Sequence, residues 1–280
     1  SGSGVSVVLN YVWGVSGGTR SNLFSYSVDA ATTNVVRSGV GTFAVPTITM
    51  SAAHSVGDAG VTQYYLTNSL IGGSVASVTS SPTADSWYDS GSSVNVVLNY
   101  VWGASSSTRS NLFSYTVDVA TTNVVRSGVG SFAVPVITMN AAHSVGDAAQ
   151  TQYFLTNTLI GGSVNSITAS PTVDSWYDSG SSVNVVLNYV WGASSSTRSN
   201  LVSYAVDSVI TSVARVGSGS FSVPTITMNT SHSVGDAGVT QYYLTNTLVA
   251  ASGSSVTASP TGDSWYDAGT GVSVVLNYVW

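Results

Sequence analysis

The chain has 280 residues, with 12 Asp, six Arg, three His and no Glu, Lys or Cys, and a formal net charge of −6. Charged residues make up 6% of it, against roughly 25% in an ordinary soluble domain. That balance excludes a nucleic-acid surface, and the missing Cys and Lys exclude disulfides, thiolate metal sites, isopeptide crosslinks and Schiff bases. Without Glu, Lys or a Leu-rich pattern a long helix or coiled coil is not expected. Aromatics at 10% and abundant Val argue against disorder. No apolar run reaches the roughly 18 residues of a membrane-spanning helix. No signal peptide opens the chain, and Ser1-Gly2-Ser3-Gly4 reads as a processed or cut edge. The wealth of Ser, Thr, Asn, Tyr, Gly and Val fits secreted cell-surface β proteins.

Internal repetition organises the rest. Trp13, Trp102, Trp191 and Trp280 stand 89 residues apart, as do Arg20, Arg109 and Arg198, and His54, His143 and His232. Three periods account for 267 residues, and the remaining 13 make residues 268–280 (AGTGVSVVLNYVW) a repeat of residues 1–13 (SGSGVSVVLNYVW). The chain holds four copies of that segment and three of everything else. No half-period is found, which disfavours a propeller of six blades.

The elements of a period read as strands. The duplicated segment presents Val5, Val7, Leu9, Tyr11 and Trp13 on one face, as its second copy presents Val94, Val96, Leu98, Tyr100 and Trp102. Next, Phe113, Tyr115 and Val117 alternate with polar residues, and Asn123-Val124-Val125-Arg126 is a short strand stopped by Ser127-Gly128. Residues 132–139 form another, in which Pro135 marks an edge or a bulge. Residues 152–156 and 163–168 complete the set, with Gly-Gly, Ser-Gly and Ser-Pro-Thr clusters between strands. The expected fold is all-β: a tandem array of small β-sandwich or β-grasp-like modules with an 89-residue period.

One ordering of the period resembles a known family. It runs from Gln152-Tyr153-Phe154-Leu155-Thr156 through Gly161-Gly162-Ser163-Val164 and Ser175-Trp176-Tyr177-Asp178-Ser179-Gly180 to the Trp191 strand. It closes on Phe221-Ser222-Val223-Pro224-Thr225-Ile226-Thr227-Met228 and His232-Ser233-Val234. This order is similar to the InlB B-repeat-like modules of bacterial surface proteins, and the long form looks most like tandem repeats in secreted archaeal proteins. The extended 192–199 segment and the strands after it depart from the pattern. The resemblance implies non-enzymatic β modules strung along a cell surface. Its phase divides the chain into residues 1–61 (latter part of a split module), 62–150 and 151–239 (complete modules) and 240–280 (first part of a split module). The tail of one copy and the head of the next would then build one module, with Val5, Val7, Leu9, Tyr11, Trp13 and Val272, Val274, Leu276, Tyr278, Trp280 as the assembly strands. A fragment cut from a longer array is the other explanation of that division.

Few residues carry chemistry. Asp85 and Asp89, Asp174 and Asp178, and Asp263 and Asp267 stand four apart in turn-rich stretches and are weak calcium candidates; Asx-turns explain them equally. No cofactor or metal is expected. His143 near Asp147 lacks a nucleophile elbow, and a Thr151–Gln152 ester rests on common residues. Arg109 and Arg126 with Asp118 are expected to form cross-strand ion pairs that fix register. Trp87, Tyr88 and Trp102 read as core or interface aromatics rather than a sugar platform. Asn229-Thr230-Ser231 is the single N-glycosylation sequon.

The expected function is structural, not enzymatic: a subunit of an extracellular filament or surface layer, joined head to tail by strand complementation. Its partner is the chain itself, with surface glycans as further candidates, and its location is extracellular or at the cell surface. The alternative is a spacer stalk of a longer surface adhesin.

Overall fold

The computed structural model describes residues 2–37, 39–80, 85–126, 128–169, 174–247, 254–258 and 262–276. Among the described residues the chain is all-β, with one 3-10 turn at Gly72–Ser74 and no helix long and apolar enough to cross a membrane. It divides into two compact units, Ser1–Trp102 with Asn111–Ala149, and Gly103–Ser110 with Gln150–Trp280.

The first unit opens with β1 (Gly4–Asn10), β2 (Val12–Ser16), β3 (Thr19–Val28), β4 (Ala31–Asn34), β5 (Thr42–Thr49) and β6 (Val56–Ser69). β1 pairs antiparallel with β5, Val5 opposite Ile48 and Leu9 opposite Phe43. β3 is the hub of the other sheet, since β2, β4 and β6 all pair with it antiparallel. Then come β7 (Val75–Thr79), β8 (Trp87–Asp89), β9 (Ser93–Asn99), β10 (Val101–Trp102), β11 (Thr108–Val117), β12 (Ala120–Asn123), β13 (Ser131–Ala133), β14 (Ile137–Thr138) and β15 (His143–Thr158), of which β11 and β15 belong in part to each unit. β9 is paired along both edges, by β7 on one and by β13 and β14 on the other. Its inward residues Val94, Val96 and Leu98 are sealed in a core with Leu66, Leu112, Met139 and Val145.

The second unit adds β16 (Val164–Thr168), β17 (Trp176–Asp178), β18 (Ser182–Asn188), β19 (Val190–Trp191), β20 (Thr197–Val206), β21 (Val209–Ser212), β22 (Ser220–Ser222), β23 (Ile226–Thr227), β24 (His232–Tyr243), β25 (Ser254–Thr257), β26 (Trp265–Asp267) and β27 (Ser273–Leu276). Its core gathers Leu155, Val183, Val185, Leu187, Leu201 and Met228. β20 meets β24 in the register of β3 on β6, so Arg198 faces Gln241 as Arg20 faces Gln63. Both pairs carry a register irregularity at the same place, between Leu23 and Ser25 and between Leu201 and Ser203. β27, by contrast with β18, has one neighbour among the described residues, β25.

Two expectations are refined. Pro46 lies within β5, whose partner β1 shows a register shift between Val5 and Val7, whereas Pro135 separates β13 from β14. A proline has no N–H for the ladder, so the strand bulges or breaks there. The strand expected over 152–156 extends back to His143, through residues 143–151, which no expected strand covers and which include one Gly, two Ala and one Asp. Cross-strand pairing overrides propensity here, as it does in β24, where Gly235, Ala237 and Gly238 face β20. At Gly238 a side chain is also forbidden, because a Cβ would stand 2.6 Å from the Trp191 ring.

β6, β15 and β24 run unbroken through residues 61, 150 and 239, where the sequence-derived divisions fall. In the first unit β6 lies on β3 with its first half and delivers Leu66 to the β9 core with its second.

Leu98 and Leu276 occupy the same place in the repeated segment but are 0% and 53% exposed. Leu98→Ala is expected to cost about 3 kcal/mol in denaturant unfolding, and Leu276→Ala less than about 1 kcal/mol in dilute protein.

Candidate functional site

The most elaborate side-chain arrangement occurs three times, where β6, β15 and β24 meet the short strands β8, β17 and β26. In the first unit the Arg20 guanidinium, almost wholly buried, donates Nε to Gln63 Oε1 at 2.7 Å and Nη2 to Asp85 Oδ2 at 2.6 Å. Asn22 Nδ2 donates to the same Gln63 oxygen at 3.0 Å. Gln63 Nε2 donates to Asp89 Oδ1 at 2.8 Å, and Asp89 Oδ2 accepts from Arg37 Nη2 at 2.6 Å. Arg37 also reaches the Leu23 carbonyl. The result is a chain of five side chains, Asp85–Arg20–Gln63–Asp89–Arg37, with a fully buried glutamine at its centre.

The second unit repeats it as Asp263–Arg198–Gln241–Asp267–Arg215, with Arg198 Nε 2.7 Å from Gln241 Oε1 and Arg215 Nη2 2.7 Å from Asp267. It also contains Asp174–Arg109–Gln152–Asp178. Burying a guanidinium is expensive unless its donors and its charge are met. Here they are met by an amide oxygen, a carboxylate and an aromatic face, since Arg20, Arg109 and Arg198 lie 4.6–4.7 Å from the ring centroids of Trp87, Trp176 and Trp265. The tryptophans in turn pack on Tyr65, Phe154 and Tyr243.

Several sequence-derived sites thereby acquire other roles. Arg109 pairs with Asp174, not with Asp118, and Arg126 donates Nη1 to the Leu112 carbonyl at 2.8 Å. Asp118 instead ends the β11–β12 hairpin at φ 55°, accepts from the Ser144 amide at 2.8 Å and lies 2.9 Å from His143 Nδ1. The reason is geometric: the left-handed turn of the hairpin points Asp118 at the first residues of β15. Asp29 and Asp207 do the same with His54 and His232. Of the weak calcium candidates, Asp85, Asp89, Asp174, Asp263 and Asp267 are spent on arginines, and Asp178 accepts from Gln152. A carboxylate neutralised by guanidinium offers little to a hard cation. Among the described residues no group of three His, Asp or Glu side chains is placed to hold a metal. Gln152 is held by Arg109 and Asp178, which leaves no role for an ester with Thr151. Asn229 Oδ1 lies 3.1 Å from His232 Nε2. Asp147 is turned away from His143, towards the Ile71 amide at 2.7 Å and the Ser74 hydroxyl.

Of the assembly residues, Val5, Val7, Leu9, Tyr11, Trp13, Val272, Val274 and Leu276 are described, whereas Tyr278 and Trp280 lie outside the described residues. Val5, Trp13, Val274 and Leu276 are exposed, while Val7, Leu9 and Tyr11 pack against a small cluster of Leu23, Tyr26, Val35 and Val45. The central glutamine is the residue that sequence reasoning missed. Its signal was present, since Gln63, Gln152 and Gln241 recur at the 89-residue spacing, each just before a pair of aromatic residues. No protein-family model, no curated protein and no solved structure matches the chain.

Hydrogen bonds from His143 and the Ser144 amide hold the Asp118 carboxyl below its ordinary value of 3.8, and His54 with Ser55 does so for Asp29. At Asp207 burial pushes the carboxyl up, but His232 and Ser233 together outweigh it. A depressed carboxyl contributes stability above its unfolded pKa and loses it as pH falls through the folded one. These three residues are therefore expected to give thermal stability that is level above about pH 4 and falls below it, and the Asp29→Asn, Asp118→Asn, Asp207→Asn triple variant to show a shallower acid limb by circular dichroism. Gln241→Leu strips the acceptor from Arg198 and Asn200 and the donor from Asp267. A loss of about 3 kcal/mol is expected, read as a lower denaturant midpoint.

Proposed function

We propose that the chain is a structural subunit of an extracellular filament or surface layer, assembled head to tail by β-strand complementation between split modules. The modules are small β-sandwich or β-grasp-like units of 89 residues, akin to B-repeat-like surface modules and without catalysis. One observation carries the reading. The same strand is sealed where it is internal and open where it is terminal: Val94 is 0% exposed and its counterpart Val5 41%, and Leu98 and Leu276 differ likewise.

The two open copies are complementary. β9 has β7 on one edge and β13 with β14 on the other; among the described residues β1 keeps the β5 side alone, and β27 keeps the β25 side alone. Each terminal strand thus lacks what the other possesses. Unpaired edges with apolar faces template addition of another strand, and a head-to-tail contact that does not close propagates as a filament. The sparse surface charge does nothing to oppose such contact.

The spacer stalk of a longer adhesin is the second reading. It is favoured by β6, β15 and β24, which join successive repeats within one chain by unbroken strands. Electron microscopy and sedimentation of the purified 280-residue chain separate the two. Concentration-dependent polymers are expected; monomers at every concentration would overturn the filament and leave the stalk.

A further inference from the structure

The sequence His-Ser-Val-Gly-Asp occurs three times and is covered by a parallel strand twice. In the first unit His143-Ser144-Val145-Gly146 runs beside Leu66-Thr67-Asn68-Ser69, and in the second His232-Ser233-Val234-Gly235 runs beside Leu155-Thr156-Asn157-Thr158 in the same register. The Ser69 and Thr158 hydroxyls donate to the Val145 and Val234 carbonyls at 3.1 Å. They come this close because the facing residue is glycine: a Cβ on Gly146 would stand 2.8 Å from Ser69 Oγ, and one on Gly235 2.7 Å from Thr158 Oγ1. One residue further on, Asp147 accepts from the Ile71 amide at 2.7 Å and from Ser74, and Asp236 from the Ile160 amide at 2.6 Å and from Ser163. The covering strand thus has one recipe, Leu-Thr-Asn, a hydroxyl residue, then Leu-Ile-Gly-Gly-Ser, read at residues 66–74 and 155–163.

The third occurrence, His54-Ser55-Val56-Gly57-Asp58, is built the same way and stands uncovered. The Ser55 amide donates to Asp29 Oδ1 at 2.9 Å and its carbonyl accepts from the Asp29 amide at 2.8 Å, as Ser144 and Ser233 do with Asp118 and Asp207. Val56, Gly57 and Asp58 pair with β3 along one edge, and among the described residues no strand pairs with them along the other. Val56 is 37% exposed where Val145 and Val234 are 1% and 0%, and Asp58 is exposed where Asp147 and Asp236 are half-buried. A Cβ on Gly57 would meet only Ser27, at 3.0 Å, so among the described residues nothing stands where Ser69 and Thr158 stand at the other two glycines. The apolar cluster beneath is smaller in the matching way: it gathers Leu23, Tyr26, Val35 and Val45 without a leucine in the place of Leu66 or Leu155.

We propose that residues 54–58 are a docking edge for an extended parallel strand of this recipe, presented by a repeat of the same kind on another molecule. The incoming Leu pairs with His54, Thr with Ser55, Asn with Val56 and the hydroxyl residue with Gly57, and the amide of the incoming Ile and the hydroxyl of its Ser donate to Asp58. The occupant is this strand rather than any apolar edge, because the surface has the sequence of two surfaces that hold such a strand already. Backbone pairing supplies affinity. Gly57 selects for a hydroxyl that approaches closely, and Asp58 for an amide followed three residues later by a serine. Both are fixed in place beforehand, which lowers the entropy lost on binding. The inference goes beyond the filament reading, since it states what this edge accepts even where no polymer forms.

The test uses the whole chain, diluted below any self-association, and a fluorescent synthetic peptide with the sequence of residues 66–74. Saturable binding is expected in fluorescence anisotropy, and none from a scrambled peptide of the same composition. Ser74→Ala in the peptide and Asp58→Ala in the protein are each expected to weaken binding about tenfold, as loss of a bond to a charged acceptor implies. Gly57→Val, whose side chain takes the place of the incoming hydroxyl, is expected to abolish it; the peptide variants read the same contact without touching the fold. The absence of Cys makes the register measurable, since paired residues on adjacent strands sit within disulfide reach. Ser55→Cys is expected to form a mixed disulfide with the peptide carrying Thr67→Cys and not with the one carrying Asn68→Cys, whose thiol lies on the opposite face. Equal crosslinking of the two peptides, equal binding of the scrambled one, or binding that survives Gly57→Val would overturn the proposal. A wild-type chain that does not bind the peptide would remove the docking edge and leave the filament to be decided by microscopy. Binding by a chain that stays monomeric at every concentration would keep the edge and remove the filament.

Discussion

A glutamine with no exposed surface holds each joint of this chain together. Gln63, Gln152 and Gln241 sit on the strands that pass from one sequence repeat to the next, and each uses its amide in both directions, oxygen to an arginine and nitrogen to an aspartate. A carboxamide can do this across two separate atoms without adding charge. A glutamate there would oppose the aspartate, and an apolar residue would leave a guanidinium and a carboxylate unmet in a dry site, at several kcal/mol. The network therefore specifies which strands meet at the joint. Hydrophobic burial supplies the stability, but Val and Leu strands are interchangeable partners, whereas an Arg–Gln–Asp relay fits one register.

This accounts for the charge economy of the chain. Its charges are placed at junctions and turns rather than spread over the surface. The six arginines serve the junctions, the aspartates at 29, 118 and 207 fix hairpins to the strands that follow, and those at 147 and 236 close the parallel ladders. Little ionisable surface is left to titrate or to be screened by salt. Repulsion between copies is correspondingly weak, which is a hazard for a free domain and an asset for a polymer.

Much of the architecture was legible because a strand and a period leave linear marks. The 89-residue spacing, the two-residue alternation of Val94, Val96 and Leu98, and the punctuation by Pro135 all read from the string of residues. Contacts across 43 to 65 residues did not. Arg109 has Asp118 nearer in sequence than Asp174, so proximity suggested the wrong carboxylate; only the meeting of β15 with β17 brings Asp174 under the guanidinium. No expected strand covers residues 143–151, whose glycine and alanines carry weak β preference, yet pairing makes the corresponding part of β24 a strand. Asp147 reads as a neighbour of His143, but four residues of extended strand span about 13 Å, so the two reach different partners.

The two parallel ladders bear on how a repeat is closed. Residues 66–69 run beside residues 143–146, both within 62–150, and residues 155–158 beside residues 232–235, both within 151–239. A parallel contact needs a long crossover, so each ladder ties the opening strand segment of a repeat to its closing one. Between repeats the chain passes as an unbroken strand, and the buried relay crosses that point, as Arg20 reaches Gln63. Closure within a repeat is thus made by strand pairing, and the passage from one repeat to the next by strand continuity braced by the glutamine.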